Sequence, residues 1–327
     1  MAKATVGIDL GGSNIAAVAV VDDTTIAGRA KSSTERGLGV EAMAEAMREV
    51  AEEALAAAGL DWQQVASAGV AVPSAIDPET GELLHAPNLG WKNQPARTAF
   101  ERVFGADIVL ENDVNCGLFG EFCAGAARGT RTAAGFFVGT GLGGGVIVEG
   151  RLHTGRRGVA GELGHQIVRH KGRRCGCGHR GCLEAYCSKA AFARRLHKMI
   201  NLKQKKSAIT EYAGSQFDSL RSKHLKKAYL ADDPVVRKVV DKGARMLGVA
   251  VANIMAVLAP DCVVFGGGVM EALGEKLLPV VRQSMAEHLF GLAEDDVDLR
   301  LSTLGDDAVP LGAAMLSRDN WRQRLVR

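Results

Sequence analysis

Val6-Gly7-Ile8-Asp9-Leu10-Gly11-Gly12-Ser13-Asn14 lies at the start of the chain, and Phe136-Phe137-Val138-Gly139-Thr140-Gly141-Leu142-Gly143-Gly144-Gly145 repeats its pattern. Each copy reads as an apolar strand, a glycine loop and a second apolar strand, Ile15 to Val21 in the first and Val146 to Val148 in the second. A tight turn follows (Asp22-Asp23, Glu149-Gly150), then a third strand near Thr25 to Ala30 or Arg151 to His153. Glycine at this density lets backbone N–H groups approach an anion with no Cβ in the way, and polyphosphate is the usual anion. Neither loop contains G-x-x-x-x-G-K-[ST], which excludes a P-loop. The glycines after Asp9 lead into a β-branched run rather than a helix, a poor fit to a dinucleotide turn. One such loop could be a hairpin turn and nothing more. Two matched copies point to a nucleotide held between two related lobes.

At 327 residues the chain has room for two domains of about 150 residues each. Hydrophobic residues make up 47% and the net charge is +3, the balance of a soluble globular protein with no general attraction to nucleic acid. A basic stretch at Arg194-Arg195, His197-Lys198, Lys203 and Lys205-Lys206 resumes at Lys223 and Lys226-Lys227. It lacks interleaved aromatics and reads as a solvated helix face. The longest apolar run, Met246 to Pro260, is broken by Gly248 and Asn253. It falls short of the ~20 residues of a membrane span and reads as a buried helix. A strand begins within a few residues of Met1, so neither a signal peptide nor a DNA-binding domain is expected. Seven cysteines, three of them clustered, favour a reducing, cytoplasmic setting and a metal over disulfides.

Between the glycine loops, helices are expected at Val40 to Ala58, stopped by Gly59, and at Thr98 to Phe104. Strands are expected at Ala66 to Val72 and Asp107 to Leu110, the latter leading to Glu111-Asn112-Asp113. Helices at Cys116 to Ala127 and 235–259 and a strand, Cys262 to Phe265, lead to a third glycine cluster, Gly266-Gly267-Gly268. A tail helix, Gly312 to Val326, is expected to pack back on the first lobe. The alternation implies an α/β fold with helices over sheets. Residues 1–111 with about 308–327 form the expected N-terminal lobe and 112–307 the second, with a hinge near 111.

Cys175-Gly176-Cys177-Gly178-His179-Arg180-Gly181-Cys182 offers three thiols on a chain that can curl round one centre. Thiolates at this spacing suit tetrahedral Zn²⁺ and leave one ligand to find. His165, in Gly161-Glu162-Leu163-Gly164-His165, is favoured. His179 competes, although its place inside the short loop would strain a tetrahedron. Cys116, Cys123, Cys187 and Cys262 sit in apolar contexts and read as core residues.

Taken in order, Asp9-Leu10-Gly11-Gly12, Glu111-Asn112-Asp113-Val114-Asn115, Gly139 to Gly145, Gly161 to His165, the cysteine cluster with Leu183-Glu184, and Gly266 to Gly268 resemble the ROK family of sugar kinases and repressors. The resemblance covers essentially the whole chain. It implies the actin-like, hexokinase-like ATPase fold with sugar and ATP in an interlobe cleft. The family's repressors carry an N-terminal helix-turn-helix that this sequence lacks, so the kinase branch is expected. The resemblance further implies that Asn112 and Asp113 contact a hexose, with Asp113 the catalytic base. Glu162, His165 and Glu184 bind further hydroxyls, His165 also ligating zinc with Cys175, Cys177 and Cys182. Asp9 orients Mg²⁺. Gly11, Gly12, Ser13 and Asn14, Gly139, Thr140, Gly141, Gly143 and Gly144, and Gly266 to Gly268 hold ATP. Independently of the family, hexose hydroxyls need several acceptors, and a positioned carboxylate can take the proton as phosphoryl transfer proceeds.

Ser74 stands in Val72-Pro73-Ser74-Ala75-Ile76-Asp77 where family kinases usually carry glycine, and Ser13-Asn14 replaces the commoner Thr-Lys or Thr-Asn. Asn88-Leu89-Gly90-Trp91 resembles the sugar-side loop of family glucokinases, with Asn88 a substrate contact. The expected activity is therefore conversion of glucose to glucose 6-phosphate by a homodimer or homotetramer. N-acetylmannosamine, N-acetylglucosamine, fructose and allose are alternative acceptors, and polyphosphate an alternative donor. A sugar-sensing regulator without turnover is the alternative from another class.

Overall fold

The computed structural model describes residues 3–77, 79–86, 89–105 and 108–318. The chain forms two compact units, Met1–Thr130 with Gly145–Gly161 and Thr303–Arg327, and Arg131–Gly144 with Glu162–Ser302.

In the first unit, strands β1 (Ala4–Leu10), β2 (Asn14–Val20), β3 (Ile26–Ser33), β4 (Val65–Val72) and β7 (Ile108–Asn112) form one sheet in the order β3-β2-β1-β4-β7. β1 pairs antiparallel with β2 and parallel with β4, and β4 pairs parallel with β7. As the central strand, β1 is covered on both faces, which explains its nearly continuous apolar sequence. Helix α1 (Val40–Ala57) buries Met43, Met47, Val50, Ala51 and Ala54 at helical spacing and packs along β2 and β3. Between β4 and β7 lie the hairpin β5 (Leu83–Ala86) and β6 (Trp91–Gln94) and helix α2 (Ala96–Phe104), closed by Gly105 at φ 66°. Trp91 is buried and its Nε1 donates to the Leu38 carbonyl at 3.1 Å.

Helix α3 (Asp113–Ala124) follows β7 directly. It starts three residues earlier than Cys116 because Asn112 caps it, its Oδ1 accepting the Val114 and Asn115 N–H groups. The break expected at 111 falls after Thr130, since α3 packs on α9 (Ala308–Arg318), the described part of the tail helix. Fully buried Glu121 secures that packing. Its carboxylate accepts N–H groups from Ala126 (2.6 Å), Thr303 (3.0 Å) and Leu304 (2.9 Å).

In the second unit, β8 (Ala133–Val138), β11 (Cys262–Gly266) and β12 (Leu299–Leu301) are parallel. β9 (Leu142–Val148), which runs on into the Gly145–Gly161 stretch assigned to the first unit, and β10 (Arg151–Leu152) within that stretch extend the order to β10-β9-β8-β11-β12. Helices α4 (Lys189–His197), α5 (Thr210–Ala213) and α6 (Ser222–Leu230) lead to α7 (Pro234–Val257), capped by Asp233 with Pro234 at its first turn. α7 packs on α8 (Gly268–Ala286) and contains most of the apolar run expected as a buried helix. Among the described residues no helix is long and apolar enough to cross a membrane. The basic stretch is divided between α4, the turn that follows it, and α6, where Lys223, Lys226 and Lys227 are exposed.

Candidate functional site

The first glycine loop joins β1 to β2 through Gly11, Gly12 and Ser13. The Asn14 carbonyl accepts from Gly11 N–H at 2.9 Å, Thr34 Oγ1 donates to the Gly11 carbonyl at 2.7 Å, and Thr34 N–H to the Ser13 carbonyl at 3.0 Å. The loop's carbonyls are thus turned inward, while the Gly12 and Ser13 N–H groups have no acceptor among the described residues. That is the arrangement an anion needs.

Asp9 precedes this loop. Burial pushes its carboxyl up to about 7, the charges of Asp113 and Asp306 add to the rise, and Lys31 offsets part of it. Asp113 is the first residue of α3, and its Oδ1 accepts Val114 N–H at 2.8 Å. Beneath it, buried Glu111 accepts from Asn112 N–H (2.9 Å) and Asn115 Nδ2 (3.1 Å). Asn112 Nδ2 donates to the Ser74 carbonyl at 3.4 Å. The Ser74 hydroxyl turns to the Ala75 carbonyl at 2.8 Å, so the serine in place of glycine is accommodated locally. Asp9, Asn112 and Asp113 are therefore placed together in the first unit. Asn88 lies outside the described residues.

The second glycine loop is held from behind. The N–H groups of Lys189 and Ala190, at the start of α4, donate to the carbonyls of Gly139 (3.0 Å) and Thr140 (3.1 Å). Ser188 caps that helix, its Oγ accepting Ala191 N–H and donating to the Glu184 carbonyl. The Gly266–Gly268 cluster ends β11 and starts α8, with Gly267 at φ 79° as the N-cap, so it presents a helix N-terminus.

Glu162 precedes and His165 ends the single-turn helix Leu163–His165, and Glu184 lies within the single-turn helix Leu183–Ala185, both in the second unit. Burial raises the Glu162 carboxyl above its ordinary range; His165 counteracts this and Glu184 adds to it. His165, Cys175, Cys177 and Cys182 present donor atoms that all lie within 4.8 Å of one another. Cys175 Sγ is 3.9 Å from His165 Nδ1 and Cys177 Sγ 3.7 Å from Cys182 Sγ. Bonds of about 2.3 Å at tetrahedral angles place ligand atoms about 3.8 Å apart, so the spacing fits one tetrahedral ion. His179 lies 3.6 Å from Cys177 but does not belong to the four-residue group. Glu184 links this cluster to the loop, accepting Leu142 N–H on Oε2 (3.1 Å) and the Cys175 thiol on Oε1 (3.3 Å).

Thr34 and Ser188 were not among the residues singled out from sequence, and Glu111 was read only as part of its motif, without a role. Ser188 ahead of Lys-Ala-Ala is a readable N-cap. The bond from Thr34 spans 23 residues and leaves no local signal.

Residues 5–320 match the ROK family. A glucokinase from Thermotoga maritima is 33% identical over 315 residues, covering 96% of this chain and 97% of its own. A ROK family glucokinase from Streptomyces griseus, solved with glucose and AMPPNP, is 32% identical with a TM-score of 0.81, covering 97% of this chain and 99% of that one. A ROK hexokinase from Thermus thermophilus is 32% identical with a TM-score of 0.80, covering 98% and 99%. These structures share the actin-like ATPase fold expected from the sequence. With a match over nearly its full length and a fold in common, the chain belongs to the ROK family.

Proposed function

We propose that this protein is an ATP-dependent hexokinase that transfers the γ-phosphoryl group of ATP to the 6-hydroxyl of glucose. The observation that carries the reading is the proximity of Asp9 and Asp113 beside a glycine loop whose Gly12 and Ser13 N–H groups have no acceptor among the described residues. A buried carboxylate whose proton affinity is raised by burial and further by a second carboxylate nearby is a ready seat for a divalent cation. Mg²⁺, when bound, neutralises charge on the transferring phosphoryl group. Asp113 takes the proton of the 6-hydroxyl as its oxygen bonds to the γ-phosphorus and the bond to the ADP oxygen breaks. Asn112 and Asp113 contact the hexose, as does Asn88, and Glu162, His165 and Glu184 accept from its hydroxyls. The Gly12 and Ser13 amides, the second glycine loop and the α8 N-terminus receive the phosphates.

The metal at His165, Cys175, Cys177 and Cys182 is read as structural zinc, since four protein ligands leave no open position. Reduced thiolates at that site accord with a cytoplasmic location, and a homodimer or homotetramer is the assembly the family implies. The test is a coupled assay with ATP against glucose, N-acetylglucosamine, N-acetylmannosamine, fructose and allose, with the product identified by phosphorus NMR. Glucose 6-phosphate with the highest kcat/KM for glucose is expected. An N-acetylated winner would change the substrate, and absence of sugar-dependent ADP formation would overturn the kinase.

A further inference from the structure

The peptide of Leu142, where the second glycine loop enters β9, is gripped on both sides by the segments that supply the metal ligands. On one side its N–H donates to Glu184 Oε2 at 3.1 Å. Glu184 lies two residues after Cys182, and its other oxygen is 3.3 Å from Cys175 Sγ, accepting the thiol proton that metal binding would displace. On the other side the Leu142 carbonyl abuts Gly164, the residue before His165. A Cβ at Gly164 would lie 1.9 Å from that oxygen, so only glycine allows the approach. Gly141 is restricted in the same way, since a Cβ there would come within 2.6 Å of Glu184 Oε2. Both holds therefore come from residues one or two positions from a metal ligand.

We propose that the metal centre positions the second glycine loop, so that metal loading sets affinity for the phosphates of the nucleotide as well as for sugar. Glu184 is the positioning residue that joins the two. The ion gathers His165 from one segment and Cys175, Cys177 and Cys182 from another. With them it fixes Gly164 and Glu184, and these hold Leu142 and the loop amides before it. Losing the ion frees both segments, and the loop then has to be ordered at the expense of binding. The proposal rests on the reading that this loop receives phosphates.

The test is calorimetric titration of the full chain with AMPPNP and Mg²⁺, in the absence of sugar. Metal content is measured on each sample, and circular dichroism confirms folding. Stripping the metal is expected to weaken AMPPNP binding about 10-fold, the lower end for loss of a supporting contact at a metal site. Glu184→Ala in metal-loaded protein should weaken it similarly, and Glu184→Gln, which keeps an oxygen for Leu142 N–H, should restore most of it. Gly139→Val, at a position where a Cβ meets nothing within 4 Å, tests the underlying reading. If it weakens AMPPNP binding while stripping and Glu184→Ala do not, the coupling is wrong and the loop assignment stands. If none of the three changes AMPPNP binding, both are wrong.

Discussion

The glycine loop at 11–13 is secured by one residue just past the end of β3, Thr34, which donates to two of its carbonyls. The loop at 139–141 is secured by the N–H groups of α4, and Leu142 beyond it by Glu184 and by a glycine against its carbonyl. Near-identical sequence patterns thus end in different mechanical settings. The first loop sits beside the repelling carboxylates Asp9 and Asp113, where charge is handled. The second is tied to the segments that carry the four clustered His and Cys side chains. A glycine-rich stretch specifies that amides can face an anion; what holds them there is decided by residues remote in sequence.

The largest expected effect tests the first setting as the seat of chemistry. Asp113→Asn keeps shape and hydrogen-bonding capacity but removes the proton acceptor. Turnover should fall by about 10²–10⁴-fold, with sugar affinity, measured directly, changed far less. Glu162→Gln should do the reverse, weakening sugar binding more than turnover of bound sugar. Near-normal turnover in Asp113→Asn would move the base elsewhere and remove the distinction drawn between the loops.

The frame of the first unit is the next point of attack. Glu121 is fully buried and gathers N–H groups from Ala126, Thr303 and Leu304. Glu121→Ala strands those donors and leaves a cavity, so denaturant unfolding should show a loss of about 3 kcal/mol. Unchanged stability would mean that α3 and α9 hold together by apolar packing alone.

Much of the site was legible because its motifs are local. Asp9 with its glycines, Asn112-Asp113 and the three cysteines each lie within a few residues, and local spacing reports local chemistry. The supports were not legible, because they join distant segments: Glu121 to Thr303 across 182 positions, Glu184 to Leu142 across 42. The unit boundary was misplaced for the same reason. Chain order puts α3 after the first sheet, whereas its partner α9 comes near the end of the chain.

A smaller effect follows from Asp9. Its carboxyl titrates at about 7 in the folded protein, against 3.8 for the unperturbed group. Over that interval the folded state holds more protons than the unfolded one, so its stability falls as pH rises from about 4 to about 7 and then levels. In metal-free protein the denaturation midpoint should fall over this range, and Asp9→Asn should flatten that part of the profile. Mg²⁺ competes with the proton for the same carboxylate, so its apparent affinity should weaken below about pH 7. A profile identical in wild type and Asp9→Asn would show that neither burial nor the neighbouring carboxylates raise the proton affinity of Asp9, leaving the first loop no electrostatic character of its own.

The smallest effect separates the loops most directly. Thr34→Val removes the hydroxyl that donates to the Gly11 carbonyl at 2.7 Å but keeps the side-chain volume and the main-chain bond to Ser13. One neutral hydrogen bond contributes about 1 kcal/mol, which corresponds to roughly a fivefold change in an equilibrium constant. AMPPNP affinity should therefore drop by about that factor. Thr34→Ser, which retains the donor, should recover most of the loss. The change should be independent of metal content, because Thr34 belongs to the unit without the cysteine cluster. Equal AMPPNP affinity in wild type and Thr34→Val would mean that the turn at Gly11 to Asn14 holds its own shape. The first loop would then need no support from β3 or its flank, and the contrast with the second would be between a self-supporting turn and a frame.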